Sequence, residues 1–361
     1  VLFPLGDVKA KMVTTLAFNN SLFHYNADWD LDIAVRNLYL EVAHDSLPGI
    51  SFWAGSRMYR GDDIYLLDYW PLDNLNTLGA GLWFDRKPLR GGIHIGVNRV
   101  LGKYQYQEEV VSTPFVGTQT IPTLNRQRTI ASAKLEYYKK FKDSFGFKVK
   151  GYAEFHTLPA GTYNALGEPE ERIDLPSEKG FVLGVQVGVW DLFPSSFVNL
   201  FVRTGSGLGA YGEFAQPLGL GTNPDVDAGY SVTGACDFVL GLSANLKIRE
   251  FFGLQVGGYY RSFSDADSND YDWDDGYEMV MALRPHLWLP KVLGKHFALG
   301  AEISFQKTER SGLHPDTAQA VHPAVWKFSV LPMWIAGNGT YSRPVIRLVY
   351  TVAQPNADGR L

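Results

Sequence analysis

The 361-residue chain has a net charge of −5, and its lysines and arginines form no basic stripe, so nucleic acid is not expected as a partner. It contains no run of 18 apolar residues, which excludes membrane-spanning helices, although 45% of its residues are apolar and 14% are aromatic. The single cysteine, Cys236, excludes an intrachain disulfide and a cysteine-built metal site. No N-terminal signal peptide is visible. If the protein is exported, we therefore expect this sequence to be its mature form.

Segments of about ten residues that alternate apolar and polar side chains follow one another along almost the whole chain. In the segment 146–156, Val149 and Phe155 fall on one face, whereas Lys150 and Glu154 fall on the other. We predict fifteen such strands, with residues 1–5 as the end of another, at 8–18, 35–43, 51–60, 79–86, 92–101, 130–140, 146–156, 181–191, 196–204, 235–247, 252–263, 277–288, 297–307, 325–334 and 342–352.

The connections between these predicted strands alternate in length. Short turns at 142–144, 194–196 and 290–296 are separated by long loops at 102–129, 157–180, 205–234, 264–276 and 308–324. Outer-membrane β-barrels of Gram-negative bacteria have this asymmetry, with tight periplasmic turns and long extracellular loops. A soluble β-sandwich or propeller is the alternative, but its strands are usually about five or six residues long, whereas a tilted strand that crosses a bilayer needs about ten. The pattern therefore favours an all-β transmembrane antiparallel barrel that forms a single domain over residues 1–361.

The cost of charge in lipid predicts which face of each strand points inward. A lysine or arginine that faces the bilayer midplane costs about 2–4 kcal/mol, so the polar faces are expected to line a wet interior. The inward residues would include Lys150, Glu154, Gln255, Arg261, Arg284, Glu302 and Arg347. An interior lined in this way is expected to be a water-filled channel rather than a packed core.

Several islands of sequence are similar to one known family. Residues 47–59 have the sequence LPGISFWAGSRMY, and they are followed by Asp63, by Asp68-Tyr69-Trp70 and by GAGL at 79–82. Near the other end, residues 341–347 have the sequence YSRPVIR. In order and spacing, these islands resemble the LPGS-x-x-WAGKR-x-Y, D-x-x-x-x-D-x-Y, GAGL and WSRP-x-IR patterns of the maltoporin family, whose members are trimeric, 18-stranded sugar channels.

The resemblance implies a set of sugar-binding residues and a homotrimer embedded in outer-membrane lipid. An aromatic slide for the sugar rings would be formed by Trp29, Phe197, Tyr341 and Trp70. A polar track and constriction would be formed by Arg36, Arg57, Arg60, Asp63, Asp68, Arg343 and Arg347. The loop at about 58–78 would fold into the pore and narrow it. About sixteen strands are visible, so the family's first and last strands, which would close the barrel, are expected outside this sequence.

Each of these residues also has a simpler interpretation. Trp29 and Trp70 could be ordinary packing aromatics, Asp63 and Asp68 could be solvated loop charges, and the two arginines of the YSRPVIR island could line the lumen without binding a ligand.

The sequence also departs from the family pattern. Gly61 stands where the family has a constriction arginine, with Arg60 one position away. Tryptophan replaces tyrosine at Trp70, and tyrosine replaces tryptophan at Tyr341.

The sequence contains no strong signal for a metal, a cofactor or catalysis. The acidic segment 264–276 begins like a calcium loop, but its sixth position is Asp270 instead of glycine and its twelfth is Gly276 instead of glutamate, which rejects an EF-hand. A loose surface cation site and a solvated acidic loop both remain open for this segment. Neither H-E-x-x-H nor G-x-S-x-G occurs, and His156 and His286 are expected on lumenal faces.

We therefore expect a non-enzymatic porin for facilitated diffusion of linear oligosaccharides such as maltodextrins. A pyranose ring has an apolar face that can stack on aromatic rings, and its hydroxyls can exchange hydrogen bonds with ionised side chains. Two alternatives remain: a general porin for ions and small polar solutes, favoured by Gly61, and a non-conducting surface receptor or adhesin barrel.

Overall fold

The computed structural model describes most of the chain. The described residues are 2–19, 32–98, 106–113, 117–124, 126–141, 145–164, 172–210, 231–264, 275–289, 297–313, 319–337 and 339–360. Two of the predicted short turns, 142–144 and 290–296, lie outside them. No helix in the described part of the chain is long and apolar enough to cross a bilayer.

The fold is built almost entirely of β-strands. The strands are β1 (Leu2–Leu5), β2 (Val8–Asn19), β3 (Asp32–His44), β4 (Ile50–Arg60), β5 (Asn74–Arg86), β6 (Leu89–Asn98), β7 (Tyr106–Thr113), β8 (Gly117–Leu124), β9 (Thr129–Lys140), β10 (Gly146–Leu158), β11 (Gly161–Asn164), β12 (Arg172–Leu175), β13 (Glu178–Trp190), β14 (Phe197–Gly207), β15 (Cys236–Arg249), β16 (Phe252–Ser264), β17 (Gly276–Trp288), β18 (Phe297–Arg310), β19 (Ala324–Ile335), β20 (Val345–Arg347) and β21 (Tyr350–Pro355). Single turns of 3-10 helix occur at Tyr65–Leu67 and Asp358–Arg360.

Seventeen of these strands form one antiparallel sheet in which each strand pairs with its neighbours along the chain. Both β20 and β21 pair with β19, so they occupy a single position, and the sheet has sixteen positions in all, which matches the number expected from the sequence. Within the described residues, no pairing joins the first position to the last. The fifteen predicted segments correspond to β2–β6, β9, β10, β13–β19 and the last position.

Two of the predicted loops contain further strands, which corrects the prediction there. A hairpin of β7 and β8 lies within 102–129, and a hairpin of β11 and β12 lies within 157–180. The sequences of β7 (YQEEVVST) and β8 (GTQTIPTL) do not alternate apolar with polar residues, and β11 and β12 have only four residues each, too few for an alternation to stand out. The period-2 signal therefore could not detect them.

The connections of the main sheet lie alternately at its two ends, because neighbouring strands are antiparallel. At one end, here named the short-turn end, they are short, as at 45–49, 87–88 and 191–196. At the other, named the long-loop end, they are long, as at 61–73 and 208–235. The length asymmetry predicted from the sequence is therefore present in the structure.

The two faces of the sheet have opposite character, as predicted. On β10, Lys150 and Glu154 are buried on the inner face, whereas Val149 and Phe155 are 42% and 50% exposed on the outer face. The same alternation runs along β13, where Val185 is exposed beside the buried Gln186. A soluble protein buries its apolar face and exposes its polar one, so this inverted arrangement indicates a sheet whose outer face meets lipid.

We predict that a charge placed on the outer face will be costly in proportion to its depth. Val185→Arg, in the middle of β13, should lower the free energy of unfolding by about 2–4 kcal/mol, measured by urea titration of protein folded into phospholipid vesicles. Leu192→Arg, in the turn after β13, is the matched control and should cost about 0–1 kcal/mol, because its charge can reach water. Equal costs at both positions would contradict a lipid-facing outer surface.

Candidate functional site

Residues 61–73, here named the inward loop, leave the wall of the sheet and pack against its inner face. Ile64 is completely buried and Leu72 is 3% exposed, and both lie in one cluster with the inner-face side chains Tyr152 of β10 and Phe201 of β14. On β16, the ring of Tyr259 lies 4.7 Å from that of Tyr69 of the loop, measured between ring centroids.

Glycines on the inner wall make room for the inward loop. A Cβ atom added at Gly257 would come within 3.0 Å of Ile64, and one added at Gly184 would come within 2.3 Å of Leu72. A Cβ atom at Gly184 would force the Leu72 side chain to shift, and one at Gly257 would crowd the Ile64 side chain. The two glycines therefore let the loop lie close against the wall.

Ion pairs hold both ends of the inward loop to the wall. Asp73 is 1% exposed and accepts hydrogen bonds from the Nζ atoms of Lys134 and Lys150, each at 2.9 Å. Asp62 accepts a hydrogen bond from Lys148 Nζ at 2.8 Å. Burial by itself would raise the pKa of each carboxyl, but the neighbouring lysines outweigh it and hold both pKa values below the ordinary value of 3.8.

Gly61 lies against the carboxylate of Asp73. A Cβ atom at Gly61 would lie 1.8 Å from Asp73 Oδ1, so no larger residue fits while Asp73 stays in place. Arg60 points to a different place. Its guanidinium lies 4.0 Å from the ring centroid of Trp70, and its Nε donates a hydrogen bond to Asn74 Oδ1 at 3.0 Å.

Arg36 reaches the same region because of a β-bulge. The pairing of β2 with β3 shifts between Thr15 and Leu16, which leaves Arg36 as the extra residue. A bulge turns two successive side chains toward one face. The charge of Arg36 acts on Arg60, as does that of the exposed Asp68. Four of the predicted residues, Arg36, Arg60, Asp68 and Trp70, therefore form a group near the long-loop end.

Arg57 is surrounded by aromatic rings. Its guanidinium carbon lies 4.7 Å from the ring centroid of Tyr39, 4.9 Å from that of Trp53 and 5.2 Å from that of Tyr59. The ring of His94 stacks on the Trp53 ring at 5.4 Å. Cation–π contacts of this kind hold a guanidinium in place.

A second group of predicted residues lies near the short-turn end. The rings of Phe197 and Tyr341 are stacked, with centroids 6.2 Å apart and an angle of 21° between their planes. Tyr341 belongs to residues 339–344, here named the inner turn, which connect β19 to β20. Its ring also meets the ring of Tyr65 edge to face at 4.8 Å, and Arg343 Nη2 donates a hydrogen bond to the Tyr65 hydroxyl at 3.0 Å. The inward loop and the inner turn therefore touch each other inside the sheet.

The aromatic group is flanked by charged side chains. The charges of Asp63 and Arg284 both act on Tyr341, and burial raises the pKa of Tyr341 to about 12, so its hydroxyl stays protonated at neutral pH. Burial also raises the pKa of the Asp63 carboxyl, and the charges of Asp62 and Asp68 add to this effect. The neighbouring Arg347 interacts with Arg284 and Arg343.

A cavity of about 360 Å³ opens beside this group, between the inward loop and the wall. It is lined by Asp62, Asp63, Arg90, Glu136, Tyr138, Lys148, Val189, Trp190, Phe197 and Asn199. Its volume lies within the range of about 300–1,000 Å³ that small-molecule sites have. Aromatic rings and charged groups of both signs therefore surround a space large enough for a small solute.

Trp29 and residues 265–274 of the acidic segment, which the sequence singled out, lie outside the described residues. Other residues of the site were not predicted from the sequence. Within the ranges described, no group of three or more histidine, cysteine, aspartate or glutamate side chains could hold a metal ion. The missed residues are Tyr65, Asp62 and Asp73. The one sequence signal for Asp62 and Asp73 is the pair of lysines at alternate positions of β10, Lys148 and Lys150, because lysines on an inner face need acidic partners there.

Comparisons with known proteins give one family and a set of distant structural neighbours. The model of the LamB porin family matches residues 2–360. Three solved structures of Pseudomonas aeruginosa proteins are similar to that of this chain. OccK10 (OpdN) has 12% identity and a TM-score of 0.43, with 99% of this chain and 86% of that chain covered. OccD3 (OpdP) has 10% identity and a TM-score of 0.46, with 98% of this chain and 78% of that chain covered. OccK2 (OpdF) has 12% identity and a TM-score of 0.45, with 98% of this chain and 84% of that chain covered. At this level of similarity, the neighbours do not bear on what this chain transports.

We predict that Asp73→Asn will release the inward loop. The substitution leaves the ammonium groups of Lys134 and Lys150 without their shared carboxylate, and breaking a buried ion pair costs about 3–5 kcal/mol. Urea titration of the protein in vesicles should show a loss near the lower end of that range. The matched control is Asp68→Asn, because Asp68 is exposed and has a left-handed backbone (φ 51°) that asparagine accepts. Equal losses for the two variants would contradict the proposed attachment.

The wild-type protein and Asp73→Asn should also differ in how their free energy of unfolding depends on pH. Because the pKa of Asp73 is lower in the folded protein than its ordinary value of 3.8, its stabilisation is fully present above that pH and is lost as the pH falls through the folded-state pKa. The wild-type protein should therefore lose stability in acid more steeply than Asp73→Asn does.

Proposed function

Because the chain belongs to the LamB porin family, it is an integral outer-membrane β-barrel that acts as a channel, and we propose that it conducts sugars, in particular linear oligosaccharides such as maltodextrins, by facilitated diffusion. The observation that carries this proposal is the stacked pair Phe197 and Tyr341, flanked by charged side chains on the inner face. A sugar ring can stack on such rings while its hydroxyls exchange hydrogen bonds with the charged groups.

We assign the two groups of residues to successive parts of one sugar path. Arg36, Arg60, Asp68 and Trp70 lie near the long-loop end, which is the extracellular end in barrels of this kind. Phe197, Tyr341 and Arg343 lie near the short-turn end. Asp63 lies between them on the inward loop. A sugar that entered at the long-loop end would meet the first group, pass Asp63 and reach the stacked rings. Trp29 stays a candidate for the outer end of the path.

The inward loop is proposed as the constriction of this path. Its attachment to the wall by Asp62 and Asp73, together with the burial of Ile64 and Leu72, supports a fixed rather than a freely moving obstruction. Its tip reaches Tyr341 from the opposite end of the barrel. The loop therefore leaves for solutes only the part of the lumen that it does not fill.

A general porin for ions and small polar solutes is the second candidate, and Gly61 is the observation that favours it. The guanidinium that the family has at this point is absent, and Asp73 occupies the adjacent space. Arg60 stacks on Trp70 and Arg57 is enclosed by rings, so neither fills that place. A constriction with fewer polar contacts would discriminate less between solutes.

Sugar block of ion current in planar bilayers separates the two candidates. With the purified protein, maltohexaose should reduce the current in a concentration-dependent manner. In Tyr341→Ala, loss of the stacked ring should raise the half-blocking concentration roughly 2- to 10-fold, because an aromatic contact contributes about 0.5–1.5 kcal/mol. Tyr341→Phe keeps the ring and should stay within about twofold of the wild type. Open current without block would instead identify a general porin.

We also propose that the protein is a homotrimer, as members of the maltoporin family are. Unheated protein should migrate on a denaturing gel as a heat-sensitive oligomer with about three times the mass of the heated chain, because β-barrel trimers resist detergent until they are heated. Chemical crosslinking before heating provides the control, since it should preserve the same species. A monomer band in both the unheated sample and the crosslinked, heated sample would contradict the trimer.

A further inference from the structure

Three guanidinium groups converge beside Tyr341 at the short-turn end of the lumen. Arg284 lies on the inner face of β17, Arg343 on the inner turn and Arg347 on β20. The charge of Arg284 acts on Tyr341, and Arg343 contacts Tyr65, whose ring meets that of Tyr341. The three arginines therefore border the same aromatic surface.

The charges of these arginines are only partly neutralised. Arg284 is paired, because its Nε and Nη2 lie 2.6 Å and 2.5 Å from Glu302 Oε2. Arg343 donates to the hydroxyl of Tyr65, which carries no charge. Arg347 is repelled by both other arginines, and its Nε is buried without a hydrogen-bond partner among the described residues. A buried donor of this kind is costly until an acceptor reaches it.

Other ionisable groups nearby do not complete the neutralisation. Asp63 is close enough to act on Tyr341, but it is not in an ion pair within the described part of the chain. His286 hydrogen-bonds to Gln255 at 3.0 Å, so its ring adds no anionic partner. Three guanidinium groups thus face two carboxylates, those of Glu302 and Asp63. One positive charge is left over beside an exposed aromatic ring.

We propose that this surface is a subsite for acidic saccharides, in which a sugar ring stacks on Tyr341 and Phe197 while its carboxylate is bound by Arg347 and Arg343. The inference rests on the proposed sugar path and adds a charged subsite to it. A guanidinium matches a carboxylate because its fork of N–H donors meets both oxygens in one plane. Uronic acid residues have the required combination of a pyranose ring and a carboxylate. Neutral maltodextrins stack on the same rings but offer the arginines only hydroxyl groups.

The test compares an acidic and a neutral disaccharide as blockers of ion current through the full-length protein in planar bilayers at pH 7. Digalacturonate should block at a concentration roughly tenfold lower than maltose does, because hydrogen bonds to charged groups are stronger than neutral ones. This preference should shrink at high salt. In Arg347→Gln and in Arg343→Gln, digalacturonate should lose its advantage, so that its half-blocking concentration approaches that of maltose measured in the same variant.

Arg249→Gln is the matched control, because Arg249 is an exposed arginine at the end of β15, outside the sugar path, and the variant should keep the preference. Glucose 6-phosphate serves as a phosphate probe, and stronger block by it than by digalacturonate would overturn the assignment to a carboxylate. Block by maltose without any preference for digalacturonate would overturn the subsite alone. Absence of block by either disaccharide would overturn both the subsite and the sugar path.

Discussion

The cost of placing charge against lipid is the constraint on which the rest of the structure depends. Ionic side chains such as Lys150 and Glu154 of β10 lie within the long strands, and the sheet can sit in a membrane only if they point inward. They then face one another across a confined lumen, where unpaired charges are again costly. The pairs of Asp73 with two lysines and of Arg284 with Glu302 are consequences of this second requirement.

The position of the inward loop follows from the same wall. Apolar loop residues such as Ile64 need a surface to cover, and Gly184 of β13 and Gly257 of β16 provide shallow places on an otherwise polar face. The acidic residues of the loop then supply the counter-charges that lysines of β9 and β10 lack within the sheet. Shape and charge thus act together, so the loop and the wall form one stable unit rather than two separate parts.

Much of the fold could be predicted from the sequence, and less of the site. Lipid imposes a strict period of two on each spanning strand, so the segments that became β2 to β6 or β13 to β19 were recognisable one by one. The hairpins of β7 with β8 and β11 with β12 were not, since the first pair lacks that alternation and the strands of the second pair are only four residues long. The stacking of Phe197 on Tyr341 joins residues far apart in the chain, and only the family resemblance suggested it. Nothing local in the sequence indicates that Tyr65 meets them, because that contact depends on the path of the inward loop.

Gly61 has a consequence for how such channels can change over evolution. The space beside its Cα is filled by the same carboxylate that anchors the end of the inward loop. An arginine acquired at this position would have to displace Asp73, and the loop would lose its attachment to the lysines in the same step. The side chains at the opening and the attachment of the inward loop are therefore inherited together, and an arginine at position 61 requires at least two coordinated substitutions.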